Sequence, residues 1–425
     1  MKTILGMTLM LLCVGAPAQN RPPGPEGNEA FQQLAELTGT QPYALAAGSV
    51  AVSGNTLVIG VPLGTPPSGC FAMCGVAYVY TAVNGDWGNL TLTATLTQSD
   101  CCAQQGGFGN GVAISGDTIV VGGYGPGGAA YVYINPSGTV TENAELTTSG
   151  FVADTFDSVS INGDTIVAGS PLAQVGNEKE LGSAYVYVQP TGGWTNMTQT
   201  ATLVTNNASI GCYFGNSVGI SGNTVVVGAP RSDANGLVQR GRAYIYVEPT
   251  AGWSGTRGQT AELDPSDGTK NEYFGFSVSI SGGTVVVGGP QQTVGSNGTQ
   301  GAAYVYTQPS TGWPKTMTET AELTAIDGKA GSGLGLSVAI SGSTLLAGAP
   351  FAHGHDGISY VFSKPAGGWQ TGPGGVAISA SDAAPNNGFG DPVGVGGGVL
   401  VVGASGWPSG LPDPEGAVYV FGPAQ

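Results

Sequence analysis

Charged side chains are scarce in this chain: they make up 9% of its 425 residues, and histidine occurs only twice. Titratable groups are therefore few, and no acid–base pair stands out as a catalytic couple. Positive charge is scarcest, with 11 basic residues against 27 acidic ones and a formal net charge of −16 at pH 7. Such a surface repels nucleic acid and anionic membranes at long range, which excludes a nucleic-acid-binding role. Long apolar runs are missing too. The N-terminal stretch Ile4 to Val14 is too short to span a bilayer, and no later stretch is long enough, so no membrane span is expected.

What the chain has in quantity is glycine, 75 residues of it. Glycine supplies the positive φ values of tight turns, so this composition describes a turn-rich β protein. Apolar residues make up 41% and fall in regular alternating runs, which argues against disorder. Residues 1–18 read as a secretory signal peptide: Lys2, the short apolar stretch, then Ala16-Pro17-Ala18 as a small-x-small cleavage site. The expected setting is secreted or extracellular, with the periplasm or cell surface included. Past Cys13, five cysteines remain. In an oxidising setting Cys70, Cys74, Cys101 and Cys102 are expected to pair, most simply between a loop and the neighbouring link. Cys70–Cys74 and a vicinal Cys101–Cys102 bond are the competing pairings, with zinc the lesser alternative. Cys212 is left over, as a buried thiol or an intermolecular link.

One unit recurs seven times. Its most regular segment, of the form Ala-Tyr-Val-Tyr, falls at Ala77, Ala130, Ala184, Ala243, Ala303, Ser359 and Ala417. The steps between them are 53, 54, 59, 60, 56 and 58 residues. Four short strands repeated at this period are the signature of a β-propeller blade. In the fourth copy Phe214 to Ile220 alternates, Ser221-Gly222-Asn223-Thr224 makes a tight hairpin, and Val225-Val226-Val227 is a β-branched run stopped by Pro230. Ala243 to Tyr246 is the third strand and Thr260 to Leu263 the outer one. This order puts the uniform hairpins on one face of the disc, the bottom. The long second-to-third loops and the links between blades lie on the other, the top. Trp87, Trp194, Trp253, Trp313 and Trp369 recur at one bottom position, which argues for packing. Variation on top marks where specific function is expected.

The repeat is split at the ends. After Phe421 the fourth strand is missing, and its equivalent, Leu34-Ala35-Glu36-Leu37, precedes blade 1. Residues around 31–38 are therefore expected to complete blade 7 and so remove two exposed edges. The expected organisation is a signal peptide (1–18), an N-terminal segment (19–30), and one seven-bladed all-β propeller of four-stranded blades (31–425).

Phe-Gly at 108, 214, 274 and 389 and Gly-Ala-Pro at 228 and 348 resemble the FG-GAP repeat of integrin α-chain propellers. The likeness is closer to the calcium-free variant in secreted microbial proteins, and it covers essentially the whole chain after the signal peptide. It implies a propeller fold and partner binding in adhesion or as a lectin. Integrin blades carry a calcium loop between their first two strands. Here that segment is Ser-Gly-x-Thr or its equivalent, with too few oxygens to cage the ion, so calcium-dependent adhesion is not carried over. No cofactor is expected.

Several residues break the repeat. His353, His355 and Asp356 lie together in the top loop of blade 6, where a metal or a general base is the sharp reading and an ordinary glycine-flanked loop the bland one. Trp407, Phe351 and Tyr124 place aromatics in the top loops of blades 7, 6 and 2, suited to sugar stacking or protein anchoring. Arg231 adds a cation in blade 4. Asp264, Asp267 and Asp327 lie on links, where turn chemistry explains them and calcium is the minority reading. Gly215-Asn216-Ser217-Val218-Gly219 matches a hydrolase nucleophile elbow, but Ser277 and Ser337 share its register inside a strand, so the repeat explains it. Asn89, Asn196, Asn207 and Asn297 begin N-x-S/T sequons.

These features favour a secreted, monomeric, non-catalytic propeller that binds an extracellular protein or glycan through its top face. A carbohydrate-active enzyme such as a polysaccharide lyase, using His353 or His355 with Arg231 and Arg242, is the second reading. A structural envelope protein is the third.

Overall fold

A glycine-rich chain with seven alternating apolar repeats has one economical way to bury its small sheets, which is to stack them against each other around an axis. The computed structural model has this form. It describes residues 31–38, 47–64, 74–99, 107–126, 128–149, 153–174, 181–207, 211–234, 236–382, 386–405 and 416–424. Seven antiparallel sheets are present, and the inner strand of each packs beside that of the next, blade 7 against blade 1 included. Blade 4 is representative: Val218–Ser221, Thr224–Ala229, Arg242–Val247 and Ala261–Asp264, with its second strand entirely buried.

The expected closure is present. Phe31–Thr38 pairs antiparallel with Ala417–Pro423, with Ala35 opposite Val420 and Leu37 opposite Val418. Leu34, Ala35 and Leu37 pack on the core shared by blades 7 and 1.

Blades are not uniformly four-stranded, and this corrects the expectation. In blades 1 to 5 the outer strand also pairs in parallel with a short strand borrowed from the next blade's bottom hairpin. Ala201–Leu203 of blade 3, for example, pairs with Gly255–Arg257 of blade 4. Blade 2 gains a sixth strand, Ala153–Thr155, on its inner side. The parallel additions satisfy outer-edge backbone groups that would otherwise face water alone.

The repeat motif exists because of the joints between blades. A Cβ on Gly228, the first glycine of Gly-Ala-Pro in blade 4, would lie 2.0 Å from the carbonyl oxygen of Gly275 in blade 5. Gly241, with φ +85°, is equally tight against Phe274, with which it forms a parallel bridge. Phe274 is buried against Tyr304 and Tyr306 of its own blade. The five recurring tryptophans are buried, at 4–9% exposure, so the packing reading holds.

Candidate functional site: the top face

In blades 1, 3, 4, 5 and 6 the top loop leaves the second strand through a Pro-x step, and the residue after that proline is turned at least partly outward. Leu63 in blade 1 and Leu172 in blade 3 are 44% and 47% exposed. Arg231 and Gln291 are exposed at the same step in blades 4 and 5, and Phe351 is half-exposed in blade 6. Nearby, Val238 and Ile326 are each 57% exposed. Five of the seven blades thus present one variable residue in equivalent places, three of them apolar.

The expected site residues fall into three groups. In blade 6, Phe351 and His355 meet edge to face at 5.7 Å between ring centroids. The Phe351 ring also covers Gly333 on the neighbouring link. His353 and His355 are exposed and hold left-handed backbone angles, φ 55° and 76°. The carbonyls of His355 and Asp356 accept from Gly388 and Phe389, tying this loop to blade 7. Among the described residues no group of three or more His, Cys, Asp or Glu side chains could hold a metal. In blade 4, Arg231 stacks over Tyr213 at 4.3 Å and donates to its hydroxyl at 3.1 Å, so its contacts lie within its own blade. Trp407, Cys70, Cys101 and Cys102 lie outside the described residues. Tyr124 is placed by its backbone, which pairs with Thr155. Cys74 is buried, and Cys212 is a buried thiol whose Sγ donates to Leu181 O.

The link aspartates serve packing. Asp267 and Asp327 accept from the hydroxyls of Tyr304 and Tyr360 in the following blade, at 3.1 and 2.6 Å. Asp382 and Asn207 do the same for Tyr419 and Tyr244. Their oxygens are turned to the next blade's tyrosine, which accounts for them without an ion. Asn207 and Asn297, two of the sequon asparagines, likewise bond to neighbouring blades, at Glu262 and Gly328.

Ser217, the elbow serine, accepts the backbone N–H of Val278 at 3.0 Å, and Ser277 and Ser337 do the same for Val338 and Val393. Its lone pair is engaged in joining blades, as the repeat implied. Arg242 is equally occupied, lying 3.8 Å from Glu262 and 4.0 Å from Asp264.

In the seam between blades 4 and 5 the sequence singled out Asp264, Asp267 and Arg242 but neither Glu272 nor Arg240. Glu272 is fully buried there, and Arg240 is 5% exposed. Arg240 lies 3.7 Å from Asp264 and donates through Nη2 to Pro265 O. Burial above all pushes the Glu272 carboxyl up to about 7, with the Asp267 charge adding to it. Two clefts, of about 570 and 450 Å³, lie instead beside the bottom hairpin of blade 6, where Trp369, Gln370 and Thr371 line both. The sequence placed no site there.

Comparison with known proteins agrees with this geometry. The FG-GAP repeat family matches at residues 90–133, 197–246, 258–306, 317–362 and 376–421, more than half of the chain. No curated protein matches. Among solved structures, the chain is similar to one described as the WD40 beta propeller domain of Doa1. That match has 11% identity and a TM-score of 0.54, and it covers 94% of this chain and 99% of that one. A second, the computationally designed Ika8 protein, has 14% identity and a TM-score of 0.48, covering 88% and 83%. At 11% identity the likeness to the first concerns fold alone. The five repeat matches, set in a ring whose Phe-Gly and Gly-Ala-Pro glycines meet between blades, show that this chain belongs to the FG-GAP repeat family.

Proposed function

We propose that this propeller, built of repeats that serve generally in protein interaction, is a secreted, monomeric, non-catalytic binding module whose top face engages an extracellular protein or glycan. The observation that carries this reading is the set of variable residues at one equivalent step: Leu63, Leu172, Arg231 and Phe351. Solvent-exposed leucines at a fixed place in the repeat favour contact with a partner over solubility. His353 and His355 add backbone strain in an exposed loop, of the kind often kept for recognition.

An array of glycans and extracellular proteins tests the reading. Binding that disappears in a Leu63→Ser, Leu172→Ser, Phe351→Ala variant of unchanged melting temperature is the expected result. Binding that survives this variant, or polysaccharide cleavage abolished by His355→Ala, overturns it. Export is proposed on the N-terminal sequence, and with it pairing of Cys70, Cys74, Cys101 and Cys102. Mass spectrometry of the non-reduced protein showing four free thiols there would rule the pairing out.

A further inference from the structure

Two residues before the Phe-Gly of blade 5, the chain passes under the top loop of blade 4. The equivalent position holds Asp154 in blade 3, Cys212 in blade 4, Ser332 in blade 6 and Asn387 in blade 7. In blade 5 it holds Glu272, fully buried. The repeat does not require a carboxylate there, and burying one is costly unless it is neutral or well paired.

Its surroundings show how it is held. Glu272 Oε2 accepts from Thr269 N–H at 2.7 Å. Glu272 Oε1 lies 3.2 Å from the Tyr304 hydroxyl, which also lies 3.1 Å from Asp267 Oδ1. A hydroxyl has one hydrogen and cannot donate to two carboxylates at once. Asp267 is exposed and its other oxygen accepts from Gln292, so both of its oxygens serve as acceptors. The second contact is then a hydrogen bond only if Glu272 carries the proton and donates to Tyr304. The other charges facing this site are Arg240 and Arg242 from blade 4, held by Asp264 and Glu262, and Glu319 and Glu322 from blade 5. Lys270 lies exposed on the link itself. Burial first, then the Asp267 charge, favours the neutral form of Glu272, while Arg240 opposes it.

The backbone here stitches two blades together. Asn271, Tyr273 and Phe274 donate to the carbonyls of Val238, Gln239 and Arg240 in blade 4's top loop. We propose that Glu272 is a proton-dependent latch: protonated, it locks the link of residues 265–274 under the top loop that displays Val238, and ionised, it releases them. The latch stands on these contacts alone. Only its consequence, a top face that is firmer in mild acid, rests on the binding role proposed above.

The seam between blades 5 and 6 is a built-in control. It has the same three backbone bonds, from Gly331, Gly333 and Leu334 to Gly298, Thr299 and Gln300. It also has the same Asp–Tyr pair, but Ser332 replaces the glutamate. Amide hydrogen exchange of the whole protein, corrected for intrinsic rates, reads both seams. Protection at Asn271, Tyr273 and Phe274 should fall by up to about tenfold per pH unit as pH rises from 5 to 7, then level off. Protection at Gly331, Gly333 and Leu334 should stay flat. In Glu272→Ser, which copies the neighbouring repeat, both seams should stay flat. A pH-independent blade 4–5 seam, an equal fall in both seams, or a fall that persists in Glu272→Ser would each overturn the latch.

Discussion

Two glycines from adjacent blades carry the meaning of the motif. At Gly228 the obstacle to any side chain is the Gly275 carbonyl, 2.0 Å from the added carbon. At Gly222, in the bottom hairpin of the same blade, nothing lies within 4 Å, and only φ +57° disfavours a side chain. The two substitutions therefore separate interblade contact from turn geometry. Gly228→Ala should cost about 3 kcal/mol by forcing two backbones apart. Gly222→Ala should cost about 1 kcal/mol by strain alone. Denaturant unfolding of the two variants compares them, and equal losses would refute the interblade explanation. The glycines were visible in the sequence as a pattern, as was the use of Ser217 in the repeat. Their partners were not, because each lies one blade away, 47 residues on for Gly228 and 61 for Ser217, where local periodicity carries no information. Glu272 was invisible for a related reason: a single glutamate in an irregular link gives no signal until its burial is known.

Strands were legible in proportion to their apolar pattern. The second strands, such as Thr224–Ala229, are buried throughout and read plainly as β-branched runs. The borrowed fifth strands, such as Gly255–Arg257 or Thr316–Thr318, are two or three exposed or half-exposed residues with no alternation to detect. Only the neighbouring blade's edge makes them strands. The N-terminal strand was legible because it repeats Ala-Glu-Leu, and its pairing with Ala417–Pro423 makes a prediction at this scale. Removing residues 1–38 uncovers the whole edge of that strand and part of the shared core around Leu34 and Leu37. Two partly buried leucines alone are worth about 3 kcal/mol. The truncated protein should lose at least that much stability and should associate through the open edge. A truncated protein as stable and monodisperse as the full chain, by calorimetry and size-exclusion chromatography, would contradict closure by this strand.

At the scale of the molecule, the charge balance that opened the sequence analysis becomes a statement about stability. The propeller has a net charge of −16 at pH 7, and its most perturbed carboxyls are all shifted in one direction. Burial first of all raises Glu272 and Glu322 from 4.5 to about 7 and Asp391 from 3.8 to about 6. A carboxyl raised in the folded state stabilises it fully below the unfolded value, and that contribution is lost as pH climbs through the folded value. The window is therefore about pH 4.5 to 7. For the fully buried Glu272 the loss is about 3 kcal/mol, at about 1.4 kcal/mol per pH unit. Self-repulsion among the surplus acids grows over the same range, so the two effects add. Salt tells them apart, because it screens exposed charges far more than buried ones. The melting temperature should fall from pH 5 to pH 7 and change little from 7 to 8. High salt should remove only part of the fall, and Glu272→Gln should remove much of what salt leaves. A melting temperature that rises from pH 5 to 7 would mean that the buried carboxyls of this ring are ionised and paired, and that its stability rests on charge after all.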